Sequence, residues 1–546
     1  MFQVYKIFNI YEYFTPSMDF SNFNNYLERS QLDKNPHQYE AVAWCVKNEI
    51  EGVDVGNNKI VRGGLIADEM GLGKTIQMIG TILSNFKMRT LIVLPLVLLE
   101  QWNDVILRTL GHQAIIYHGS SKKNITLEIL KNAAIVLTTY GQITYQKKRV
   151  EKNLLYKLKW KRLVFDEAHH LRNKKTGVYI GSLRLYSKIR WLITGTPIQN
   201  SKKDLFSICA AMGLPSEYYA KMGNLSHLIK NFILCRTKSE VGIYLPKLTM
   251  NSIFIEWKSE KEKQLSHEIH SNIPTISNLI NEGNSQFNCK PLEAMTYARQ
   301  SCIYPDLLKS KIKKMVNIGL INEEYSQGLI EGASSSSKID AVINTINERK
   351  ENNNNKIVFC HYRGEIDIIA SRLTALGINV SKFDGRTSKK DRKEKLINPV
   401  DVLILQINTA CEGLNLQDYN EIYFVSPHWN PAIEDQAIAR CHRIGQRREV
   451  EVFRFQMSGS EFAATTDGEE EDDDCTKTLE EYCLEVQDNK RKMREIMIEN
   501  PQINPQINPE INPQINPQIN PQINPEINPQ INPQINPQLA SDISIN

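Results

Sequence analysis

Asp68-Glu69-Met70-Gly71-Leu72-Gly73-Lys74-Thr75 is a glycine-bearing stretch that closes on Lys-Thr, and Ile76, Ile79, Ile82, Leu83 and Phe86 follow it at helical spacing. A loop that opens a helix in this way presents backbone N–H groups and a helix N-terminus to an anion. It also offers a lysine ammonium to β/γ-phosphates and a hydroxyl to Mg²⁺. The phosphate-loop consensus has glycine where Asp68 stands, and Gly-x-Gly-Lys-Thr alone also occurs as an ordinary strand-to-helix turn. Further along, Asp166-Glu167-Ala168-His169 closes the apolar run Leu163-Val164-Phe165. A buried parallel strand ending there delivers a metal-holding Asp and a water-activating Glu to the phosphate loop. The two stretches in this order imply hydrolysis of a nucleoside triphosphate.

Working outward, residues 30–255 alternate short apolar runs with helical patterns, as in Leu91-Ile92-Val93-Leu94, Ala134-Ile135-Val136-Leu137 and Trp191-Leu192-Ile193. That alternation predicts an α/β lobe with a parallel sheet. Residues 256–335 are polar and helical in tendency, an insert between lobes. A second α/β lobe, 336–460, contains Lys356-Ile357-Val358-Phe359, Val402-Leu403-Ile404-Leu405 and Glu421-Ile422-Tyr423-Phe424-Val425. Residues 1–29 form an N-terminal extension without a signal-peptide pattern. An acidic linker, 461–477, precedes a helix over 478–499 whose Leu479, Cys483, Val486 and Met493 share a face that could dock on a lobe. From 500 to 546 the chain repeats Asn-Pro-(Gln/Glu)-Ile with ten prolines between Pro501 and Pro537. Proline at this density predicts a disordered or polyproline-like tail, a candidate to bind an unknown protein partner.

The chain has 546 residues, 41% of them hydrophobic, and a net charge of +4. Eight acidic residues and no basic ones lie between Glu461 and Asp474, so the rest is more basic than the net charge suggests. That excess fits an anionic polymer partner. Ten cysteines without a C-x-x-C pair read as reduced, intracellular and non-zinc. No apolar run approaches membrane-spanning length.

In the second lobe, Trp429-Asn430-Pro431 is followed by Gln436-Ala437-Ile438-Ala439-Arg440-Cys441-His442-Arg443-Ile444-Gly445-Gln446. Gln436, Arg440 and Arg443, spaced four and three apart, are expected on one helical face, where two guanidinium groups could meet a phosphate across a cleft. With this segment the chain resembles the SWI/SNF-type ATPases of helicase superfamily two. Pro36-His37-Gln38-Tyr39 resembles the Q motif, and Asp68–Thr75 resembles motif I in the family's own variant without the first glycine. Leu94-Pro95-Leu96 through Gln101-Trp102 is similar to motif Ia, Leu137–Tyr140 to motif Ib and Asp166–His169 to motif II. Leu192-Ile193-Thr194-Gly195-Thr196-Pro197-Ile198-Gln199-Asn200 is similar to motif III, Phe359-Cys360-His361 to motif IV, Gly413-Leu414-Asn415-Leu416 to motif V and Gln436–Gln446 to motif VI.

The resemblance implies two tandem RecA-like lobes and the cofactors ATP and Mg²⁺. Gln38 would read adenine, and Asp68, Glu69, Met70, Gly71, Leu72, Gly73, Lys74 and Thr75 would hold the nucleotide. Thr75 and Asp166 would hold Mg²⁺, Glu167 would activate water, and Arg440 and Arg443 would complete the site. Thr139, Gly195, Thr196, Asn415, Trp429 and Gln436 would contact duplex DNA or couple it to the nucleotide. The chain departs from the family at Cys411-Glu412, where two glycines are usual, and at Cys235-Arg236-Thr237-Lys238, where one of two arginines is lost. Its compact build is similar to members encoded by large DNA viruses. The resemblance therefore implies a double-stranded-DNA translocase that remodels or displaces proteins, acting in the nucleus or at a site of viral DNA replication or transcription. A transcript-release ATPase, a strand-separating helicase and a non-catalytic scaffold stay open as alternatives, as do nucleosomes and RNA polymerase as partners.

Overall fold

The structure is a computed structural model, and it describes residues 19–111, 113–147, 153–195, 202–272, 291–323, 336–387, 400–407, 416–459 and 477–499. The first strands are Val53–Asp54 (β1), Ile60–Ile66 (β2), Thr90–Leu94 (β3), Ile115–Tyr117 (β4), Ile135–Thr139 (β5), Lys159–Asp166 (β6), Tyr186–Ile193 (β7) and Ile233–Leu234 (β8). They form one sheet in the order β1-β2-β7-β6-β3-β5-β4, with β8 also on β2. Every pairing is parallel except β1 with β2. Helices cover both faces of such a sheet, so its central strands are apolar on both sides. Leu163 and Phe165 enter one core with Leu65, Val93, Val136 and Leu192. Val164 enters the opposite core with Ile66, Ile92, Leu137 and Trp191. The sequence runs look continuous because alternate residues serve two cores.

Strand register positions the site. Ile66 lies opposite Ile193, and Ile193 opposite Asp166. β2, β7 and β6 therefore end level, and the stretches after them emerge side by side at the C-terminal edge, where open parallel sheets bind ligands. The helix after β2 runs Lys74–Ser84, so Phe86 falls outside the helix that its spacing predicted. Asn85 ends the helix in a non-helical conformation, and Phe86 stands 47% exposed beyond it.

One buried ion pair ties this lobe together. Glu49, on the Pro36–Ile50 helix, receives Arg162 Nε at 2.6 Å and Trp191 Nε1 at 2.8 Å. Asn85 Nδ2 also donates to it, at 2.7 Å. Both charged side chains are fully buried. Removing one charge leaves the other unpaired in the core, so Glu49→Gln is expected to destabilise the lobe by roughly 3–5 kcal/mol. Its unfolding transition should move to markedly lower denaturant; an unshifted transition would show that the pair contributes nothing.

The second sheet comprises Leu248–Ile255 (β9), Lys356–Cys360 (β10), Val380–Phe383 (β11), Val402–Gln406 (β12), Glu421–Phe424 (β13) and Val450–Met457 (β14). Its order is β11-β12-β10-β13-β14-β9, parallel from β11 through β14. Ile357, Phe359, Leu403, Leu405, Ile422 and Phe424 fill a core beneath the Pro431–Cys441 helix. The fold is thus two RecA-like α/β lobes in tandem, each with a parallel sheet.

The chain divides into two compact units. Of the described residues, one takes in those within 19–253, 343–455 and 483–499; the other takes in those within 254–342 and 456–482. In the second unit, the helices Glu260–Ser271 and Pro291–Ile303 carry much of the described chain. Lys338 and Glu480 form a fully buried pair there, and Glu480 Oε2 also accepts Met457 N at 2.9 Å. The C-terminal helix runs Leu479–Glu499. Leu479 and Cys483 are buried as their spacing predicted, Val486 is half-buried, and the side chain of Met493 lies outside the described residues. Gln487, one step further along that face, is also fully buried, donating to Glu434 Oε1 at 2.8 Å and to the His428 carbonyl at 2.5 Å. The acidic linker from 461 to 476 and the 500–546 repeat, with its expected disorder, lie outside the described residues.

Candidate active site

Asp68 follows β2 and is wholly buried. Arg236 grips it, Nε reaching Oδ1 at 3.2 Å and Nη2 reaching Oδ2 at 2.6 Å, while Gln77 Nε2 donates to Oδ2 at 2.9 Å. This carboxylate replaces the missing consensus glycine with an anchor: it ties the loop to the chain that leaves the sheet. The loop then turns through Gly73 at φ +79, in the left-handed region, and Lys74 opens the helix. A Cβ at Gly73 would also meet Gln38 Nε2 at 2.6 Å. At the neighbouring strand end, a Cβ at Gly195 would come within 2.8 Å of Met70 Cγ and 3.3 Å of Lys74 Nζ. Both positions need glycine for close approach.

Asp166 ends β6. Its Oδ2 accepts Trp102 Nε1 at 2.7 Å, and its Oδ1 accepts the Glu167 amide at 3.0 Å. Tyr140 Oη donates to its carbonyl at 2.6 Å. Glu167 follows at φ +51, and its Oε2 lies 3.2 Å from His169 Nδ1. Burial, reinforced by the adjacent Glu167 charge, pushes the Asp166 carboxyl well up. Burial would raise Glu167 as well, but the hydrogen bond and charge of His169, with Lys74 and Arg440, more than offset it and hold Glu167 low. Burial pulls the Lys74 ammonium down against the attraction of Glu167, Asp68 and Asp166. The two adjacent carboxylates are thus shifted in opposite directions, Asp166 up and Glu167 down.

These groups meet in one cavity of ≈ 150 Å³. From the first lobe it is lined by Met70, Gly71, Gly73, Lys74, Thr75, Asp166, Glu167 and Gly195, with Leu98, Gln101 and Trp102; from the second it is lined by Ala439, Arg440 and Arg443. The helix bearing Arg440 ends at Cys441. Arg443 is therefore not on the helical face that its spacing predicted. It sits in the following turn, its amide on the Cys441 carbonyl, and still reaches the cavity.

Asp68, Glu69, Leu72 and Gln38, expected at the nucleotide, do not line the cavity. Asp68 and Glu69 instead hold the loop from behind through Arg236 and Lys238, and their carbonyls accept Lys74 Nζ at 2.8 and 3.3 Å. Gln38 is buried against Gly73, with no partner for its Oε1 among the described residues. Of the residues expected to face DNA or couple it, Thr139 ends β5 with its Oγ1 3.1 Å from His118 Nδ1. Trp429 gives its carbonyl to Lys490 Nζ at 3.1 Å. Gln436 is buried outside the cavity. Thr196, Asn415 and the Cys411-Glu412 departure lie outside the described residues.

Sequence reasoning missed Arg236, and with it Lys238, as supports of the loop. The available signal was Asp68 itself: a carboxylate at the end of a buried strand needs a cation, and no neighbour in sequence provides one.

The chain matches the family model of the SNF2-related domain over residues 37–216 and that of the helicase conserved C-terminal domain over residues 337–445. The chain belongs to the SNF2-type ATPases of helicase superfamily two. The chain is similar to a probable global transactivator of Orgyia pseudotsugata multicapsid polyhedrosis virus, 26% identical over 77% of this chain and 85% of that protein's length. The DNA excision repair protein ERCC-6-like of Danio rerio is 25% identical, over 81% of this chain. Transcription termination factor 2 of Drosophila melanogaster is 22% identical, over 86% of this chain. The chain spans 36% of the Danio protein and 57% of the Drosophila one. A Sulfolobus solfataricus SWI2/SNF2 ATPase core solved in complex with dsDNA is 25% identical, covering 78% of this chain and 88% of its own, with a TM-score of 0.36. No described helix is long and apolar enough to cross a membrane.

Proposed function

We propose that this SNF2-type chain hydrolyses ATP in the cavity and uses the cycle to move along duplex DNA, displacing or remodelling bound proteins without separating the strands. The observation that carries the reading is the convergence of Lys74, Thr75, Asp166 and Glu167 from one lobe with Arg440 and Arg443 from the other on a single cavity. The donor set fits a magnesium–triphosphate: three cationic side chains for phosphate oxygens, a hydroxyl and a carboxylate for the cation. Arg443 Nε, buried and without a partner among the described residues, is an unused donor of the right kind.

Gln38, which lies behind Gly73 outside the cavity, would reach the adenine edge only through its amide oxygen, unpartnered among the described residues. Lys74 and the loop amides would hold the β/γ-phosphates, and Thr75 and Asp166 would hold Mg²⁺. That ion, when bound, neutralises phosphate charge. Glu167, kept ionised, orients and deprotonates water; Arg440 and Arg443 stabilise the charge of the transition state. Because carboxylates and arginines come from different lobes, nucleotide binds best when the lobes are together, which biases their closure. Thr139, Gly195, Thr196, Asn415, Trp429 and Gln436 link that motion to a DNA backbone. Phosphate contacts read no sequence, so affinity should fall steeply with salt. The names of the viral transactivator and the Danio repair protein support action on DNA inside the cell, in the nucleus or at a site of viral DNA replication or transcription. A transcript-release ATPase is the second reading, favoured by the name of the Drosophila relative.

Alternating grip between two lobes moves an enzyme along a duplex, whereas opening it needs a wedge, and stacking opposes each step by about 1.4 kcal/mol. The purified protein is expected to displace a triplex-forming third strand in an ATP-dependent manner and to leave a forked duplex paired. Fork unwinding without triplex displacement would promote a strand-separating helicase instead.

A further inference from the structure

The segment between β8 and β9 is bonded at its two ends to the two halves of the cavity. At its start, Ala67 N donates to the Leu234 carbonyl at 2.7 Å and Glu69 N to the Arg236 carbonyl at 2.8 Å. Side chains repeat the bond: Arg236 holds Asp68, and both the amide and Nζ of Lys238 hold the Glu69 carboxylate, at 2.8 and 2.7 Å. At its end, the Pro246 carbonyl accepts His442 Nε2 at 2.8 Å, and the Lys247 carbonyl accepts Val450 N at 2.9 Å. His442 stands between the end of the arginine-bearing helix and Arg443. A Cβ at Gly71 would lie 3.4 Å from Lys238 Cε and 3.6 Å from Arg443 Cβ. Segment, phosphate loop and arginine turn thus meet at one point.

The two ion pairs differ in kind. Asp68 and Arg236 are buried, an anchor whose rupture would expose unpaired charge to the core. Lys238 and Glu69 are 12% and 38% exposed. Water can replace either partner, so this pair can open and re-form. Lys238 does not line the cavity, and what it does there it does through Glu69 and Gly71.

We propose that residues 234–247 form a strap that sets the phosphate loop against the arginine turn, with Lys238 as the positioning residue that makes the setting adjustable. The proposal rests on the ATPase reading above. A displacement of the arginine turn would pull on Pro246 and reach Gly71 and Lys74 through the Lys238–Glu69 pair, giving the lobes a covalent route of coupling besides the nucleotide.

The test uses the full chain with duplex DNA. Lys238→Met is expected to lower kcat about tenfold with KM for ATP within about twofold, because loop placement rather than ground-state binding is lost. Lys238→Arg should retain most of the wild-type rate. Glu69→Lys and Lys238→Glu should each be impaired, and the charge-swapped double variant should recover at least about fivefold over the worse single, the sign of direct coupling. Independently of turnover, amide exchange of residues 68–75 should accelerate in Lys238→Met. A raised KM at unchanged kcat would make Lys238 a nucleotide ligand and overturn the positioning role. Unchanged exchange, or a double variant no better than its singles, would overturn the strap. A wild-type protein that hydrolyses no ATP, while amide exchange of residues 68–75 still accelerates in Lys238→Met, would instead sink the proposed function and leave the strap standing.

Discussion

Glu167→Gln is expected to retain nucleotide while turnover falls about 10²–10⁴-fold, the usual weight of a positioned base, whereas Lys74→Ala should show no saturable nucleotide binding where the wild type saturates. The contrast follows from what each side chain faces. Glu167 lines the cavity beside Lys74 and Arg440 and is held ionised by His169 and those cations against the pull of burial. Glutamine keeps its shape and some of its hydrogen bonding but cannot take a proton from water. Lys74 is the cavity's cation on the phosphate loop itself, and its ammonium donates to the Asp68 and Glu69 carbonyls. Its removal takes away both the charge for phosphate and the bond that keeps the loop closed on itself. Fluorescent-nucleotide titration beside steady-state hydrolysis separates the two variants. Normal turnover in Glu167→Gln would remove that residue from the base role, and lost binding there would assign it to holding nucleotide.

Much of this arrangement was legible from sequence because it depends on local pattern. β3, β5, β6, β7, β10, β12 and β13 lie where apolar runs mark them, since strands buried on both faces cannot conceal themselves among polar residues. The carboxylate pair was legible because it closes the apolar run of β6, and the Lys-Thr loop because of its own glycines and the helical spacing that follows it. Contacts that join distant residues were not. Arg236 and Asp68 are 168 residues apart, and only the unmet charge of Asp68 hints at the bond. The spacing of Arg440 and Arg443 fits a helix, but the chain leaves the helix at His442, whose ring goes to the Pro246 carbonyl. Gln487, one step beyond Leu479 and Cys483 on the same face, was not singled out from the sequence. It is buried because Glu434 and the His428 carbonyl accept its amide, a compensation that periodicity cannot display.

Arg440→Ala and Arg443→Ala are each expected to reduce turnover about 10³-fold or more, the scale of arginine-finger losses, and Arg443→Ala should do so without a loss of thermal stability in the nucleotide-free protein. The two halves of this expectation have one cause. Burial and the adjacent Arg440 charge both push the Arg443 guanidinium down, and among the described residues no carboxylate pairs with it. Two like charges held this close, facing a cavity, cost the fold free energy that an anion between them would recover. Removing Arg443 should therefore leave the melting temperature of the free protein unchanged or raised, while the stabilisation conferred by added ATP shrinks. The double variant should be little worse than the worse single, because both arginines act on the same developing charge. A free protein that melts earlier would make either arginine a structural element of the lobe junction. Turnover reduced less than about tenfold, with stability intact, would take the second lobe out of the chemistry and reduce it to a grip on DNA.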